Sequence, residues 1–358
     1  MKSIISTSSK VHFNDEAYTQ LNQYLAKNRF SKIFVLVDSN THGLCLSRFL
    51  PKVETDVEIE IIEIEPGEQH KTIETCVGVW NVLSELGADR KSLLLNLGGG
   101  VVTDLGGFVA CTFKRGIKYI NIPTTLLAMV DASVGGKTGV DLGALKNQIG
   151  VISSGEMVVI DTSFINTLPQ NQLKSGLAEM LKHGLIYDRT YWDRMTDLAH
   201  LTLHDLDNLI YESVLIKNDI VEKDPFENNL RKTLNFGHTL GHAIESHFLN
   251  HPEKPELLHG EAIGIGIIME CFISSELTGL SKADLIEIQD VISEIYEYVQ
   301  IEEADFESII ELLKYDKKNE HGNINFVLLE SIGTPKIDCT VDNQLILKAF
   351  EYYKSCYK

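Results

Sequence analysis

No two cysteines in this chain stand at the C-x-x-C spacing of a zinc knot or redox pair; the six, at positions 45, 76, 111, 271, 339 and 356, are dispersed. They read as reduced thiols in a reducing compartment, not as a disulfide framework. No stretch reaches the roughly 18 apolar residues that a membrane helix needs. Met1–Glu16 lacks a basic segment followed by an apolar run, so no signal peptide is expected and the cytoplasm is the expected location. Positive charge is scarce too: 32 Lys and Arg stand against 51 Asp and Glu, a formal net charge of −19. Nucleic acid and anionic membranes both require cationic surface, so neither is an expected partner. An acidic protein that binds an anionic small molecule must instead gather its cations locally.

What is present is ordinary globular material. At 358 residues, 44% hydrophobic and 23% charged, the chain fits two domains better than one. The first half alternates strand and helix signals. Ile33–Asp38 is an apolar run closed by an aspartate, Val57–Ile64 alternates apolar and acidic residues, and Leu93–Leu97, Tyr119–Ile122 and Met157–Ile160 supply further strands. Thr72–Leu86 has helical spacing and stops at Gly87. Such alternation predicts right-handed βαβ units on a parallel sheet. After Leu168-Pro169 the pattern becomes helical, over Gly176–Tyr187, Leu203–Lys223, Leu230–Phe248, Gly260–Leu277, Lys282–Val299 and Phe306–Lys314, with only Phe326–Leu329 reading as a strand. The expected domains are therefore residues 1–168 and 169–358, an α/β chain with a mostly α-helical C-terminal half.

Gly98-Gly99-Gly100-Val-Val-Thr-Asp104 follows a strand and opens a helix. Glycines there let backbone N–H groups approach a dinucleotide pyrophosphate at a helix N-terminus. Thr103 occupies the place of the third glycine of that fingerprint, and on its own the stretch fits a tight strand–helix turn equally well. Ala132–Gly139 imitates an ATP-binding loop, but Asp131 stands where the pattern requires glycine, which excludes a triphosphate. Lys137, held between glycines, suits a substrate phosphate or carboxylate, and Lys146-Asn147 adds a cation beside an amide. The hydroxyls of Pro123-Thr124-Thr125 suit either cofactor phosphate or plain turn chemistry, and the motif alone favours the turn.

Residues 231–242, Arg-Lys-Thr-Leu-Asn-Phe-Gly-His-Thr-Leu-Gly-His, predict a single helix whose three- and four-residue steps stack Arg231, Asn235, His238 and His242 on one face. A guanidinium, an amide and two imidazoles are the side chains of a metal or polyol site. A catalytic divalent metal takes three protein ligands and leaves one position open. His238, His259 and one acid satisfy this, and the best acid is Glu179, which shares a helix face with Lys182 inside the apolar stretch Leu177–Leu181. His242 is either a fourth ligand, which would close the site, or a group for acid/base work or substrate contact, and an open site favours the second.

These two halves together resemble the 3-dehydroquinate synthases over about Pro66–Pro335. The motifs that carry the resemblance are Pro66–Lys71, Gly98–Asp104, Phe113–Gly116, Pro123–Thr125, Asp131–Lys137, Lys146-Asn147, Ala178–Lys182, Lys217, Glu227, Arg231–His242, His259–Glu261 and Asp316–Lys318. The resemblance implies a Rossmann-like NAD-binding domain followed by a helical metal- and substrate-binding domain. It implies NAD contacts at Glu68, Lys71, Gly99, Gly100, Asp104, Thr124, Thr125, Lys137, Lys146 and Thr167, and metal ligands at Glu179, His238 and His259. Substrate contacts are implied at Asp131, Lys137, Asn147, Lys182, Lys217, Arg231, Asn235, His242 and Lys318, with Arg115 reaching over from the second subunit of a homodimer. Thr103 and Val151–Ser154 depart from the family pattern, which bears on the cofactor loops alone. The implied reaction belongs to the shikimate pathway: 3-deoxy-D-arabino-heptulosonate 7-phosphate becomes 3-dehydroquinate and phosphate, with catalytic NAD and Zn2+ or Co2+. The alternatives are another sugar phosphate cyclase, a metal- and NAD-dependent polyol dehydrogenase, or an inactive binding module. The cation cluster argues against the dehydrogenase and the complete ligand set against the inactive module.

Overall fold

Strands β1 (Ile4–Ile5), β2 (Lys10–Phe13), β3 (Ile33–Asp38), β4 (Ile59–Ile64), β5 (Leu93–Gly98), β6 (Lys118–Pro123) and β9 (Val158–Ile160) form a sheet in the order β1-β2-β9-β6-β5-β3-β4. All neighbours run parallel except β1 and β2. Our computed structural model describes residues 1–7, 9–143, 145–196, 203–313 and 324–357. The sheet is built as the apolar runs predict: β3 and β5 are buried along nearly their whole length, as strands covered on both faces must be. Helix α1 (Asn14–Lys27) follows β2. Helices α2 (Ile73–Glu85) and α3 (Gly100–Thr112) pack Val79, Leu83, Leu105 and Val109 against Phe34, Leu36, Ile62 and Leu94. The Thr72 hydroxyl accepts the Thr75 N–H to start α2, and Gly87, at φ +77°, stops it. An antiparallel hairpin, β7 (Lys137–Leu142) with β8 (Leu145–Ile152), was not foreseen; its polar residues and three glycines hide the strand alternation.

The chain divides into two compact units, Met1–Leu173 with Ile210–Glu222, and Lys174–Leu209 with Lys223–Lys358. The sequence reading drew one cut at residue 168, whereas the first unit takes back part of a long helix. Within that unit Asn218 accepts hydrogen bonds from Ser6 (3.0 Å) and Ser9 (2.7 Å), and Tyr211 packs edge-on to Phe13 with ring centroids 5.1 Å apart. Nothing in an uninterrupted helical period marks where such an allegiance changes.

The second unit holds α4 (Gln170–Tyr187, from Lys174), α5 (Arg189–Thr196), part of α6 (Leu203–Lys223), α7 (His238–Asn250), α8 (His259–Leu277), α9 (Lys282–Ile295), α10 (Glu303–Leu313), the hairpin of β10 (Asn325–Ser331) and β11 (Thr334–Thr340), and α11 (Asn343–Ser355). Two expectations change. The lone strand is one arm of a hairpin, because β11 (TPKIDCT) is exposed or half-buried throughout and carries too few apolar residues to announce itself. The helix expected to reach Val299 stops at Ile295, where Tyr296 turns extended and its hydroxyl donates to the Lys174 carbonyl (2.7 Å). Among the described residues no helix is long and apolar enough to cross a membrane.

Asp161 follows β9 and ties three segments of the first unit. Its carboxylate accepts from the Tyr18 hydroxyl (2.7 Å), Lys52 Nζ (2.7 Å) and the Ser163 N–H (3.0 Å). Burial pushes its pKa up, but the bonds from Lys52, Ser163 and Tyr18 outweigh burial and leave it below the ordinary value. A depressed carboxylate pKa contributes stability that is present above the unfolded value of about 3.9 and is lost as pH falls through the folded one. Asp161→Asn is therefore expected to cost about 1–3 kcal/mol at neutral pH. The gap between wild-type and variant Tm should stay constant above about pH 5 and narrow as pH falls below the unfolded value of about 3.9 toward the lower folded one, as followed by thermal denaturation.

Candidate metal centre and nucleotide-binding turn

In the first unit, β5 ends at Gly98 and Gly99 takes the N-cap position of α3, whose cap makes no side-chain hydrogen bond. A Cβ on Gly98 would stand 2.5 Å from Val102 Cβ, and one on Gly99 would stand 3.0 Å from Thr125 Cγ2. The turn thus tolerates little besides glycine and presents uncapped amides at the positive end of a helix, an arrangement that fits a pyrophosphate. Thr103 does not spoil it: its hydroxyl donates back to the carbonyls of Gly99 and Gly100 (3.2 Å each). The close helix–strand approach that the third glycine of the fingerprint provides falls to Gly106, where a Cβ would lie 2.1 Å from Asn96 Oδ1. Gly107 does the same against Thr138 Oγ1, at 2.4 Å. Thr124 N–H donates to the Gly98 carbonyl (3.0 Å), and Thr125 Oγ1 accepts from Ala128 N–H (3.1 Å), so Pro123–Thr125 does turn chemistry beside the glycines.

Several expected cofactor and substrate residues meet around the β7–β8 hairpin. Lys71, buried, donates to Asp104 Oδ2 and to Asn147 Oδ1, each at 2.6 Å, and Lys146 pairs with Glu68 at 2.9 Å. Asn147 adopts φ +50°, held there by Asp141, whose carboxylate accepts the Asn147 N–H (2.5 Å) while its own N–H donates to the Lys71 carbonyl (2.9 Å). Burial depresses the Lys71 pKa, yet the carboxylates of Asp104, Glu68 and Asp141 more than offset this and keep the ammonium charged. Asp141 was not foreseen; the signal would have been an acid six residues before an amide across a two-residue turn. Lys217, on the returning segment, donates to the Asp131 carbonyl (2.6 Å) and carboxylate (2.5 Å). Lys137 is exposed after Gly135 and Gly136, both at positive φ, and Arg115 is exposed on a turn at φ +69°. Thr167 spends its hydroxyl on the Phe164 carbonyl (2.6 Å). Lys318 lies outside the described residues.

In the second unit, Glu179 on α4 has no solvent exposure and forms a short ion pair with Lys182, itself 1% exposed. The other carboxylate oxygen, Oε1, lies 3.2 Å from His238 Nε2 and 3.5 Å from His259 Nε2 and has no hydrogen-bond partner. Each imidazole is engaged at its far nitrogen: His238 Nδ1 meets the Phe236 carbonyl at 2.9 Å, and His259 Nδ1 faces Glu245 at 3.4 Å. Those contacts aim both Nε2 atoms at the orphaned oxygen, the outer support expected of histidine ligands. Ligand atoms about 2.0–2.2 Å from a tetrahedral ion stand roughly 3.3–3.5 Å apart, so the donor set fits a divalent cation. Burial and Lys182 lower the His238 pKa, whereas the contacts of His259 with Glu179 and Glu245 overcome its burial and push it up to about 10. Burial opposes ionisation of Glu179, but Lys182 and the two imidazoles hold it well below its usual value. His242 joins them, with ring centroids 4.9 Å from His238 and 5.7 Å from His259, and the ligand nitrogens of all three lie within 4.8 Å of one another. Glu245, unforeseen, was visible as the residue seven beyond His238 on the same helix face.

The single helix expected over 231–242 is broken. Leu230–Asn235 is a 3-10 turn, Phe236 is non-helical, Gly237 is left-handed at φ +75°, and α7 begins at His238. Arg231 and Asn235 therefore do not continue the face of His238 and His242. The break is fixed by packing: Gly237 and Leu240 donate their N–H groups to the buried Glu270 carboxylate (2.6 and 3.1 Å). Arg231 instead sits in a loop organised by Asp224, which accepts the N–H groups of Asn228 (3.0 Å), Asn229 (2.7 Å) and Arg231 (3.0 Å), and its guanidinium donates to the Pro225 carbonyl (3.0 Å). Asn235 donates to Glu227 (2.8 Å).

The family model for the 3-dehydroquinate synthase N-terminal part matches residues 61–175, and that for its C-terminal part matches 176–319. The chain belongs to the 3-dehydroquinate synthase family. It is 39% identical to the 3-dehydroquinate synthase of Parabacteroides distasonis over 98% of this chain and 99% of that one. It is 38% identical to that of Thermoanaerobacter pseudethanolicus over 96% and 97% of the two chains. Among solved structures, a 2-epi-5-epi-valiolone synthase from Streptomyces hygroscopicus subsp. jinggangensis 5008 with NAD+ and Zn2+ bound superposes with a TM-score of 0.86, 25% identity and coverage of 99% of each chain. A glycerol dehydrogenase from Schizosaccharomyces pombe shares the fold at a TM-score of 0.70 and 13% identity, covering 99% of this chain and 91% of its own.

The buried Lys71–Asp104 pair makes a prediction about the stability of the first unit. Lys71→Met leaves a largely buried carboxylate without its cation and is expected to cost about 3–5 kcal/mol, whereas Lys71→Met/Asp104→Leu together should recover most of it. Chemical denaturation of the three variants checks this.

Proposed function

We infer that the protein catalyses the 3-dehydroquinate synthase reaction, converting 3-deoxy-D-arabino-heptulosonate 7-phosphate to 3-dehydroquinate and inorganic phosphate. The observation that carries this reading is the orphaned Glu179 oxygen set between the Nε2 atoms of His238 and His259, within a chain whose near-full-length relatives bear that name. Glu179, His238 and His259 are the proposed metal ligands, and zinc or cobalt the proposed metal. Gly99, Gly100, Asp104, Thr124, Thr125, Glu68, Lys71, Lys137, Lys146 and Thr167 are the proposed NAD residues. When bound, NAD supplies a reversible hydride acceptor and the metal a Lewis acid for the substrate's hydroxyl oxygens.

The chain's own residues supply the rest. Lys137, Lys217, Arg231 and Lys318 are the cations proposed for a substrate with one carboxylate and one phosphate. Asn147, Asn235 and Asp131 orient its hydroxyls, and Arg115 completes the phosphate pocket from the second subunit of a proposed homodimer. Lys182, buried against Glu179, keeps that carboxylate ionised. His242 moves the proton at the hydroxyl that is oxidised, one helical turn from His238. Holding a flexible polyol in one pose is itself worth a large part of the barrier. The proposed location is the cytoplasm, with no nucleic-acid or membrane partner.

Purified protein supplied with this substrate and a trace of NAD+ should release inorganic phosphate with no net NADH. Stoichiometric NADH would instead favour a polyol dehydrogenase, and turnover of a sugar phosphate that lacks the carboxylate would favour another cyclase. Glu179→Ala should lose bound metal and reduce turnover by more than the roughly 10–100-fold typical of removing an outer-shell partner, with metal content read by elemental analysis.

A further inference from the structure

Helices α7 and α8 touch backbone to backbone. A Cβ on Gly266 would stand 2.0 Å from the Gly237 carbonyl oxygen, one on Gly237 would stand 2.6 Å from Ile267 Cγ1, and one on Gly241 would stand 2.8 Å from Ile263 Cδ1. The pairs 237 with 266, 241 with 263 and 245 with 259 descend one helix as they climb the other, so the helices run antiparallel. At one end of this contact Glu245 of α7 faces His259, the first residue of α8. At the other end Glu270 of α8, without solvent exposure, accepts the N–H groups of Gly237 and Leu240. Those two amides belong to the opening turn of α7, where backbone donors have no partner within their own helix and Gly237 offers no side-chain cap. The cap therefore comes from a different helix, and the residue it secures is His238.

We propose that Glu270 is a positioning residue of the metal centre: by clamping the first turn of α7 onto α8 it fixes where His238 Nε2 stands relative to His259 Nε2 and Glu179 Oε1. The chemistry of the contact requires a carboxylate. The two N–H groups reach different oxygens, Gly237 to Oε2 and Leu240 to Oε1, so in this orientation both terminal positions must be acceptors. An amide of the same shape answers one N–H and turns its own donors on the other. Burying the negative charge is offset by both hydrogen bonds and by the positive end of α7. Because the clamp acts on backbone, its loss removes no ligand side chain but shifts His238 relative to the others. A shift of a few tenths of an ångström is enough to matter for an ion that holds its ligands at about 2.0–2.2 Å.

The proposal rests on Glu179, His238 and His259 being the metal ligands, and the test separates the two. Apo-protein is titrated with Zn2+ in competition with a chromophoric chelator and with Co2+ while its visible absorption is recorded, for wild type, Glu179→Ala, Glu270→Gln and Glu270→Asp. Glu270→Gln should weaken metal binding by about 10–100-fold and alter the cobalt spectrum while the circular dichroism stays that of the wild type. Glu270→Asp, which keeps the charge and loses reach, should be affected in the same direction. Wild-type affinity in Glu179→Ala would remove the metal reading itself. Loss of metal in Glu179→Ala, with wild-type affinity and spectrum in both Glu270 variants, would overturn the proposal alone and leave Glu270 a structural cap. Should the variants fail to fold, hydrogen exchange on the wild type decides. Coupling is reciprocal, so added Zn2+ should raise protection of the Gly237 and Leu240 amides more than that of amides in α11, and an equal rise in both would overturn it.

Discussion

A carboxylate with no access to water dominates the second unit. Glu179 has to be matched by partners or be protonated, and its neighbours settle the matter in favour of the anion: Lys182 one turn on, His238 and His259 across from it. That requirement brings α4, α7 and α8 to one point. It also explains why a lysine is almost fully buried in an apolar stretch. The lysine takes one oxygen, and the other faces the two imidazoles. Removing either member of the Glu179–Lys182 pair would leave an uncompensated buried charge, so the pair constrains the fold.

The first unit solves a different problem with the same economy of parts. Glycines at 98 and 99 open a helix N-terminus, and glycines at 106 and 107 let that helix lie against β5 and β7. Around the hairpin the charges are paired into a network, Glu68 with Lys146 and Lys71 with Asp104 and Asn147. A chain with a net charge of −19 thereby pairs these lysines with carboxylates, and Asp104, Glu68 and Asp141 keep the buried Lys71 ionised.

Much of this was legible from local patterns. The strand runs Ile33–Asp38 and Leu93–Leu97 and the helix Leu203–Lys223 fall where apolar periodicity puts them, because continuous burial and a 3.6-residue period leave strong marks. Glu179 and Lys182 were recognisable as partners because three-residue spacing within an apolar stretch leaves them little choice. The hairpin Lys137–Ile152, the strand Thr334–Thr340 and the helix Asn343–Ser355 left weaker marks. Exposed strands need few apolar residues, and a hairpin rich in glycine and charge looks like loop.

The residues 231–242 show where sequence stops. Their composition singled out a guanidinium, an amide and two imidazoles, and the two imidazoles do meet, with ring centroids 4.9 Å apart. Helical spacing then suggested one continuous face, and that was wrong. Gly237 adopts a left-handed conformation because α8 passes too close for a side chain and because Glu270, 33 residues away, takes the N–H groups that would otherwise continue the helix. Which residue types cluster in this stretch is written in the sequence. Where the helix begins, and so where His238 points, is decided by a contact between segments far apart in the chain, which no local pattern encodes.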